Sequence, residues 1–226
     1  MRKPWSVALL LPILAITPLA VATARASDKA LVRDERATFP LQGAHAVDLD
    51  VPVGEVHVTT TPGDQVLAHL ELRCDEGSSR CRSHATALHL VPGRGTDTLT
   101  LKLDGYDHDS HHGFNHPDAD VELMVPAALA VHVHVGVGDL RLRGIEGDVG
   151  VEIGVGDARV EVPESAVHAV NIDVGVGDAN LDPRPDTSRH KGFLFLGNNL
   201  TWHEGTGQSH VAVEVGIGDA SVRLLP

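Results

Sequence analysis

The sequence predicts an all-β protein, a β-solenoid-like stack of short strands in coils of roughly 20 residues, with a two-sheet β-sandwich as the alternative. Three observations point there. Apolar and polar residues alternate over most of the chain, the period of half-buried strands. That alternation changes parity at a recurrent Gly-x-Gly-Asp. Aromatic residues are only 3% of the composition, so Val, Leu, Ile and Ala must fill the core, which suits a narrow interior.

The first strand pair is "VDLDVPVGEVHV", where Val47, Leu49, Val51 and Val53 give way to Val56 and Val58 across Gly54-Glu55. "VLAHLELRC", "TALHLVPG", "TLTLKLDG" and "VELMVPAA" read as further strands bounded by Gly, Pro, Asp and Ser. Pro92-Gly93-Arg94-Gly95 can close a hairpin. The repeats follow. Val131, Val133, Val135 and Val137 switch to Leu140 and Leu142, and Val151, Ile153 and Val155 to Ala158, Val160 and Val162. Val170, Ile172, Val174 and Val176 switch to Ala179 and Leu181, and Val211, Val213, Val215 and Ile217 to Ala220, Val222 and Leu224. A parity change keeps one face buried only where the strand bends or bulges. Gly138, Gly156, Gly177 and Gly218 are therefore corners. Glycine adopts positive φ without strain, and the Asp after it can accept from nearby backbone N–H groups.

The interval from Gly177 to Gly218 is about twice the others, so a degenerate copy is expected between them, with Gly197 as corner and Asn198 in place of Asp. Gly54 is the earliest corner. No 3.6-residue apolar stripe lasts three turns after the N-terminal segment, and one continuous β domain is expected over 27–226.

Arg2 and Lys3, an apolar stretch from Val7 to Ala22, and Ala24-Arg25-Ala26 read as a secretory signal peptide over 1–26. The mature chain is then expected to lack a membrane span and to be periplasmic or secreted. Losing Arg2, Lys3 and Arg25 takes the formal charge from -13 to -16, which argues against nucleic acid and anionic membrane surfaces as partners. In an exported chain, Cys74 and Cys81 are expected to form a disulfide closing a short polar loop.

The recurrent "GVGDA", the late "FLGNNLTWHEGTG" and the closing "VAVEVGIGDASVRL" resemble the exported bacterial proteins grouped as "putative adhesins" of unknown function, whose DUF domains are β-solenoids. The resemblance covers about residues 30–226 and is best from 130 onward. It implies a non-enzymatic, adhesin-like binding or structural role at the cell envelope. It brings no catalytic residues and does not extend to the cysteine pair or to residues 104–120.

Several candidate sites remain. The glycines do not form a nucleotide site, because a strand rather than a helix follows each of them. If the coils stack about 4.8 Å apart, Asp139, Asp157, Asp178, Asn198 and Asp219 form a ladder in which neighbouring carboxylates repel by about 1 kcal/mol in water. Backbone donors could offset this, or bound Ca²⁺. The segment "DGYDHDSHHGFNHPDAD" supplies His108, Asp109, His111, His112 and His116, the ligand types of Zn, Cu and Ni. This is the alternative function, a periplasmic divalent-metal-binding protein. His132 and His134 should face outward together on one strand. The first glycines of the motifs, Gly136, Gly154, Gly175 and Gly216, leave a strip where another backbone or a glycan could approach, or else ease the bend. No Gly-x-Ser-x-Gly or His-Glu-x-x-His is present, so an enzyme acting on polysaccharide is the least favoured reading. No cofactor is required. The expected partner is an envelope protein or glycan, with self-association through the ends of the stack open.

Overall fold

A computed structural model describes residues 29–106, 116–183, 188–191 and 197–226. The expected signal peptide and His108, Asp109, His111 and His112 lie outside the described residues. The first part of the chain holds β1 (Lys29–Pro40), β2 (Ala46–Val53), β3 (Glu55–Thr60), β4 (Gln65–Asp75), α1 (Ser79–Ala87), β5 (His89–Arg94), β6 (Thr98–Asp104) and β7 (Asp118–Val125). The repeats form β8 (Ala130–Val137), β9 (Leu140–Arg143), β10 (Val149–Val155), β11 (Ala158–Pro163), β12 (Val167–Val176) and β13 (Ala179–Asp182). Then come β14 (Ser188–Lys191), β15 (Asn198–Trp202), β16 (Ser209–Ile217) and β17 (Ala220–Leu225).

The strands make two mixed sheets, ordered β1-β4-β7-β3-β9-β11-β17-β13 and β14-β15-β12-β16-β10-β8-β2-β6-β5. Side chains directed inward from both, among them Val47, Leu49, Val56, Leu123, Val133, Leu142, Ile172 and Val213, join in one buried cluster. Five pairs cross from the second sheet to the first at a single glycine: β2–β3, β8–β9, β10–β11, β12–β13 and β16–β17. Within each sheet these strands pair in parallel and in register, as in Val135↔Ile153↔Val215↔Val174 and Leu142↔Val160↔Val222↔Leu181. The flanking pairs β1–β4–β7, β5–β6 and β12–β15–β14 are antiparallel.

The corners explain the glycines. Gly138, Gly156, Gly177 and Gly218 have φ of +143°, +139°, +141° and +138°, a region costly for residues with a Cβ. They also stack on one another. A Cβ would lie 1.8 Å from the Gly54 carbonyl oxygen at Gly138, 2.0 Å from that of Gly138 at Gly156, 1.9 Å from that of Gly156 at Gly218, and 1.8 Å from that of Gly218 at Gly177. The first-glycine row is equally filled. A Cβ on Gly136, Gly154, Gly216 or Gly175 would lie 2.4 to 2.6 Å from the carbonyl of the neighbouring strand, so the close approach that the row permits is made by the protein's own backbone.

Four expectations are corrected. The glycine-cornered strand pairs do not neighbour one another in sequence order, since β16–β17 lies between β10–β11 and β12–β13. Gly197 is not a further corner between sheets: β15, which follows it, runs antiparallel to β12 within the second sheet, and a Cβ there would meet only the Val174 carbonyl oxygen, at 4.0 Å. The apolar residue before each corner is not in the core. Val53, Val137, Val155, Val176 and Ile217 are 42 to 54% exposed, each immediately before the positive-φ glycine at which the chain turns. Finally, the stretch from Ser79, late in the loop between the cysteines, to Ala87, at the start of "TALHLVPG", forms α1, capped by the Ser78 hydroxyl accepting from the Cys81 N–H at 3.3 Å. The Cys74–Cys81 disulfide ties this helix to the end of β4.

Candidate functional site

The outer face of the second sheet carries a groove of about 1060 Å³. Its walls follow from the register. Because β6, β2, β8, β10, β16 and β12 run parallel, outward residues at equivalent positions form continuous rows across them. One row is Lys102, Asp50, His134, Glu152, Glu214 and Asp173, continued by Asn199 of β15. The next is Thr100, Asp48, His132, Gly150, Ala212 and Asn171. Gly150 and Ala212 keep this row low. A Cβ on Gly150 would fall 2.5 Å from His132 Nδ1, so the glycine seats that imidazole.

The groove is acidic. Asp48, Asp50, Asp148, Glu152, Asp173 and Glu214 line it together with His132, His134 and His210, and among the described residues no lysine or arginine does. One end of the charged row is compensated: Asp50 faces Lys102 Nζ at 3.4 Å and His134 Nδ1 at 3.2 Å. At the other end Asn199 Nδ2 donates to Asp173 Oδ2 at 3.3 Å. Between them, Glu152 and Glu214 are register partners and have no ion-pair partner among the described residues. Carboxylates on neighbouring strands, about 4.8 Å apart, repel by about 1 kcal/mol in water and more where solvent is excluded. A cationic group laid along the row would relieve that repulsion.

The sequence-expected residues fall in three places. The Asp ladder is continuous, in the spatial order Asp139, Asp157, Asp219, Asp178. The N–H of Asp157 donates to Asp139 Oδ1 at 3.0 Å, that of Asp219 to Asp157 Oδ1 at 2.9 Å, and that of Asp178 to Asp219 Oδ1 at 2.9 Å. Asn198 closes the row, its Nδ2 donating to the Gly177 carbonyl at 2.7 Å and to Asp178 Oδ1 at 3.4 Å. The Oδ1 atoms of Asp139, Asp157 and Asp219 thus each carry a backbone donor, and that of Asp178 a side-chain donor. His132 and His134 do face outward together, in the groove. Of the histidines in the histidine-rich segment only His116 is described, its ring 5.2 Å from that of His84 on α1 and 6.1 Å from that of Tyr106. Tyr106 donates to the Val53 carbonyl at 2.7 Å, and burial pushes its phenol up to about 12, with the negative charge of Asp118 adding to the effect. The sequence reading missed the groove itself, since its rows exist only once the strand order is known. No described helix is long and apolar enough to cross a membrane.

A comparison with curated proteins finds no match. Among solved structures, a "putative cell adhesion protein" from Clostridium sporogenes is similar with a TM-score of 0.55 at 14% identity, over 85% of this chain and 99% of that one. A "putative adhesin" from Bacteroides fragilis matches at 9% identity and TM-score 0.31, over 84% and 97% of the two chains. A "putative lipid binding protein" from Parabacteroides distasonis matches at 9% and 0.23, over 85% and 97%. At these identities the first likeness is one of fold. Residues 28–182, from the start of β1 to the end of β13, match the model described as the N-terminal domain of toast_rack, DUF2154, and the chain belongs to that family.

Proposed function

We propose that the protein is an exported, non-enzymatic, adhesin-like binding protein whose glycine-cornered strand pairs act as a solenoid-like scaffold for the groove on the second sheet, and that the groove holds a positively charged, extended ligand. The observation that carries this reading is the row Asp50, His134, Glu152, Glu214 and Asp173, which repeats acidic groups across parallel strands and leaves Glu152 and Glu214 side by side. A regular row on a rigid sheet suits a polymer that offers a cation at each step, and electrostatic complementarity of this kind sets partner choice and association rate. The disulfide accords with an exported location, and the name of the similar Clostridium sporogenes structure accords with adhesion.

Calorimetric titration with oligolysine, with oligoglutamate as control, tests it. Oligolysine should bind, more weakly as salt rises, and the triple variant Glu152→Gln, Glu214→Gln, Asp173→Asn should bind roughly tenfold more weakly or worse, about 1.4 kcal/mol. Equal binding of oligoglutamate, or unchanged binding by the variant, would refute the reading.

A further inference from the structure

On the outer face of the first sheet, far in sequence from the histidine-rich segment, the antiparallel strands β1, β4 and β7 gather a second set of metal-type ligands. The register sets Asp34 opposite Glu71, His69 opposite Glu122, and Arg36 opposite His69. His69 Nε2 lies 3.0 Å from Asp34 Oδ1 and 3.6 Å from Glu71 Oε1. One ligand atom from each of the three residues falls within 4.8 Å of the other two. The His69 side chain is 13% exposed, whereas Glu122 is 55% exposed.

We propose that Asp34, His69 and Glu71 form a binding site for a divalent transition metal of the zinc class, with Glu122 as the residue that orients the imidazole. Zinc holds N and O ligands at about 2.0–2.2 Å in a tetrahedron, which separates the ligand atoms from one another by about 3.4 Å. The separations of 3.0 and 3.6 Å from Nε2 bracket that value, so small side-chain movements complete the site. The other ring nitrogen is already engaged. His69 Nδ1 is 3.2 Å from Glu122 Oε2, and with the proton on Nδ1 donated to that carboxylate, Nε2 turns its lone pair toward Asp34 and Glu71. A carboxylate holding the far side of a metal-binding imidazole is the usual means of fixing tautomer and orientation. Two arginines flank the group without closing it. Arg36 Nη1 reaches Asp34 Oδ1 at 2.8 Å but its side chain is 68% exposed, while Arg73 pairs with Glu71 Oε2 and leaves Oε1 facing His69. Three protein ligands leave a fourth position for water or a partner's side chain. A metal here would also pin β1, the edge strand of its sheet, to β4.

Fifteen histidines make weak background binding certain, so the test starts from a full-length variant with His108, His111, His112 and His116 replaced by Gln. Titrated with Zn²⁺ in a calorimeter, it should keep one tight site, and Zn²⁺ should raise its Tm. Adding His69→Gln should abolish both, and adding Glu122→Gln should weaken the site by about 10- to 100-fold. If His69→Gln loses its fold by circular dichroism, Asp34→Asn on the edge strand replaces it with the same expected loss. Absence of a tight site in the starting variant, or its survival in the His69 or Asp34 variant, overturns the proposal.

Discussion

The five glycine-cornered strand pairs and the antiparallel flank formed by β1, β4 and α1 bury their cores alike but are held together differently. In the cornered pairs the backbone is the packing element. Gly54, Gly138, Gly156, Gly218 and Gly177 stack carbonyl against α-carbon with no room for a side chain, and Asp139, Asp157 and Asp219 after three of the corners fasten the next strand through its amide. In the flank, side chains and a covalent link do that work: the disulfide, the Ser78 cap, and Arg33 donating to the Leu88 carbonyl at 2.9 Å. Where backbone packs on backbone a single methyl is decisive, and where side chains pack the same change is absorbed.

The largest effect should therefore come from a methyl at a corner. Gly156→Ala combines a disfavoured φ with a Cβ 2.0 Å from a carbonyl oxygen, and it should cost about 3 kcal/mol or more. Gly93→Ala on β5, where a Cβ would meet only Thr100 Cβ at 3.6 Å, should change stability by less than about 0.5 kcal/mol. Urea unfolding of the two variants side by side checks the contrast. Equal losses would break it.

Next comes the flank's own fastener. Cys74→Ser with Cys81→Ser opens a loop of seven-residue separation and should lower stability by about 2.5 kcal/mol on the chain-entropy account. Because the link lies outside the stack, amides at the corners should keep their relative protection in hydrogen exchange.

Tyr106, just past the end of β6, bonds to the carbonyl of Val53 at the first corner. Its folded pKa of about 12 lies above the ordinary value near 10. The folded state therefore keeps the phenolic proton where the unfolded chain has lost it. That contribution is whole below about pH 10 and disappears as pH rises toward about 12, by an amount on the order of 1 to 3 kcal/mol. Stability measured from pH 9 to 12 should fall less steeply in Tyr106→Phe than in the parent.

The smallest effect sharpens the role of the ladder. Asp157→Asn keeps an oxygen to accept from the Asp219 amide and should be nearly neutral, whereas Asp157→Ala should cost about 1 kcal/mol. If the Asn variant were the more damaging, the carboxylate's charge rather than its acceptor would be what matters.

Much of the scaffold is legible in the sequence because it rests on local rules. Period-two alternation assigns the faces of β8 to β13 and β16 to β17, and the parity switch locates their corners, since both depend on neighbours within a few residues. What fails is what depends on distant partners. Val137 and Ile217 share the parity of the core but are exposed beside the corner glycines. The nine-residue α1 buries only Cys81 and Ala85, too little for a helical period to show. Gly197 follows the spacing of a corner, yet β15 folds back along β12. Strand order is the least legible of all, because each Gly-x-Gly-Asp pair presents nearly the same edge to any other. The groove and the Asp34–His69–Glu71 cluster are both consequences of that order. The histidine-rich segment attracted attention by composition, whereas Glu152 and Glu214 are separated by sixty-two positions and carry no local signature.

The pair β16–β17 inserts between β10–β11 and β12–β13 and so completes the acidic row. Native-state hydrogen exchange of the β16 amides tests it most directly. With a strand bonded on each side, the amides of Val211 to Val215 should be among the slowest in the molecule and exchange only through global unfolding. Exchange as fast as in β5, an edge of the same sheet, would place β16 at the end of the stack and dismantle the groove.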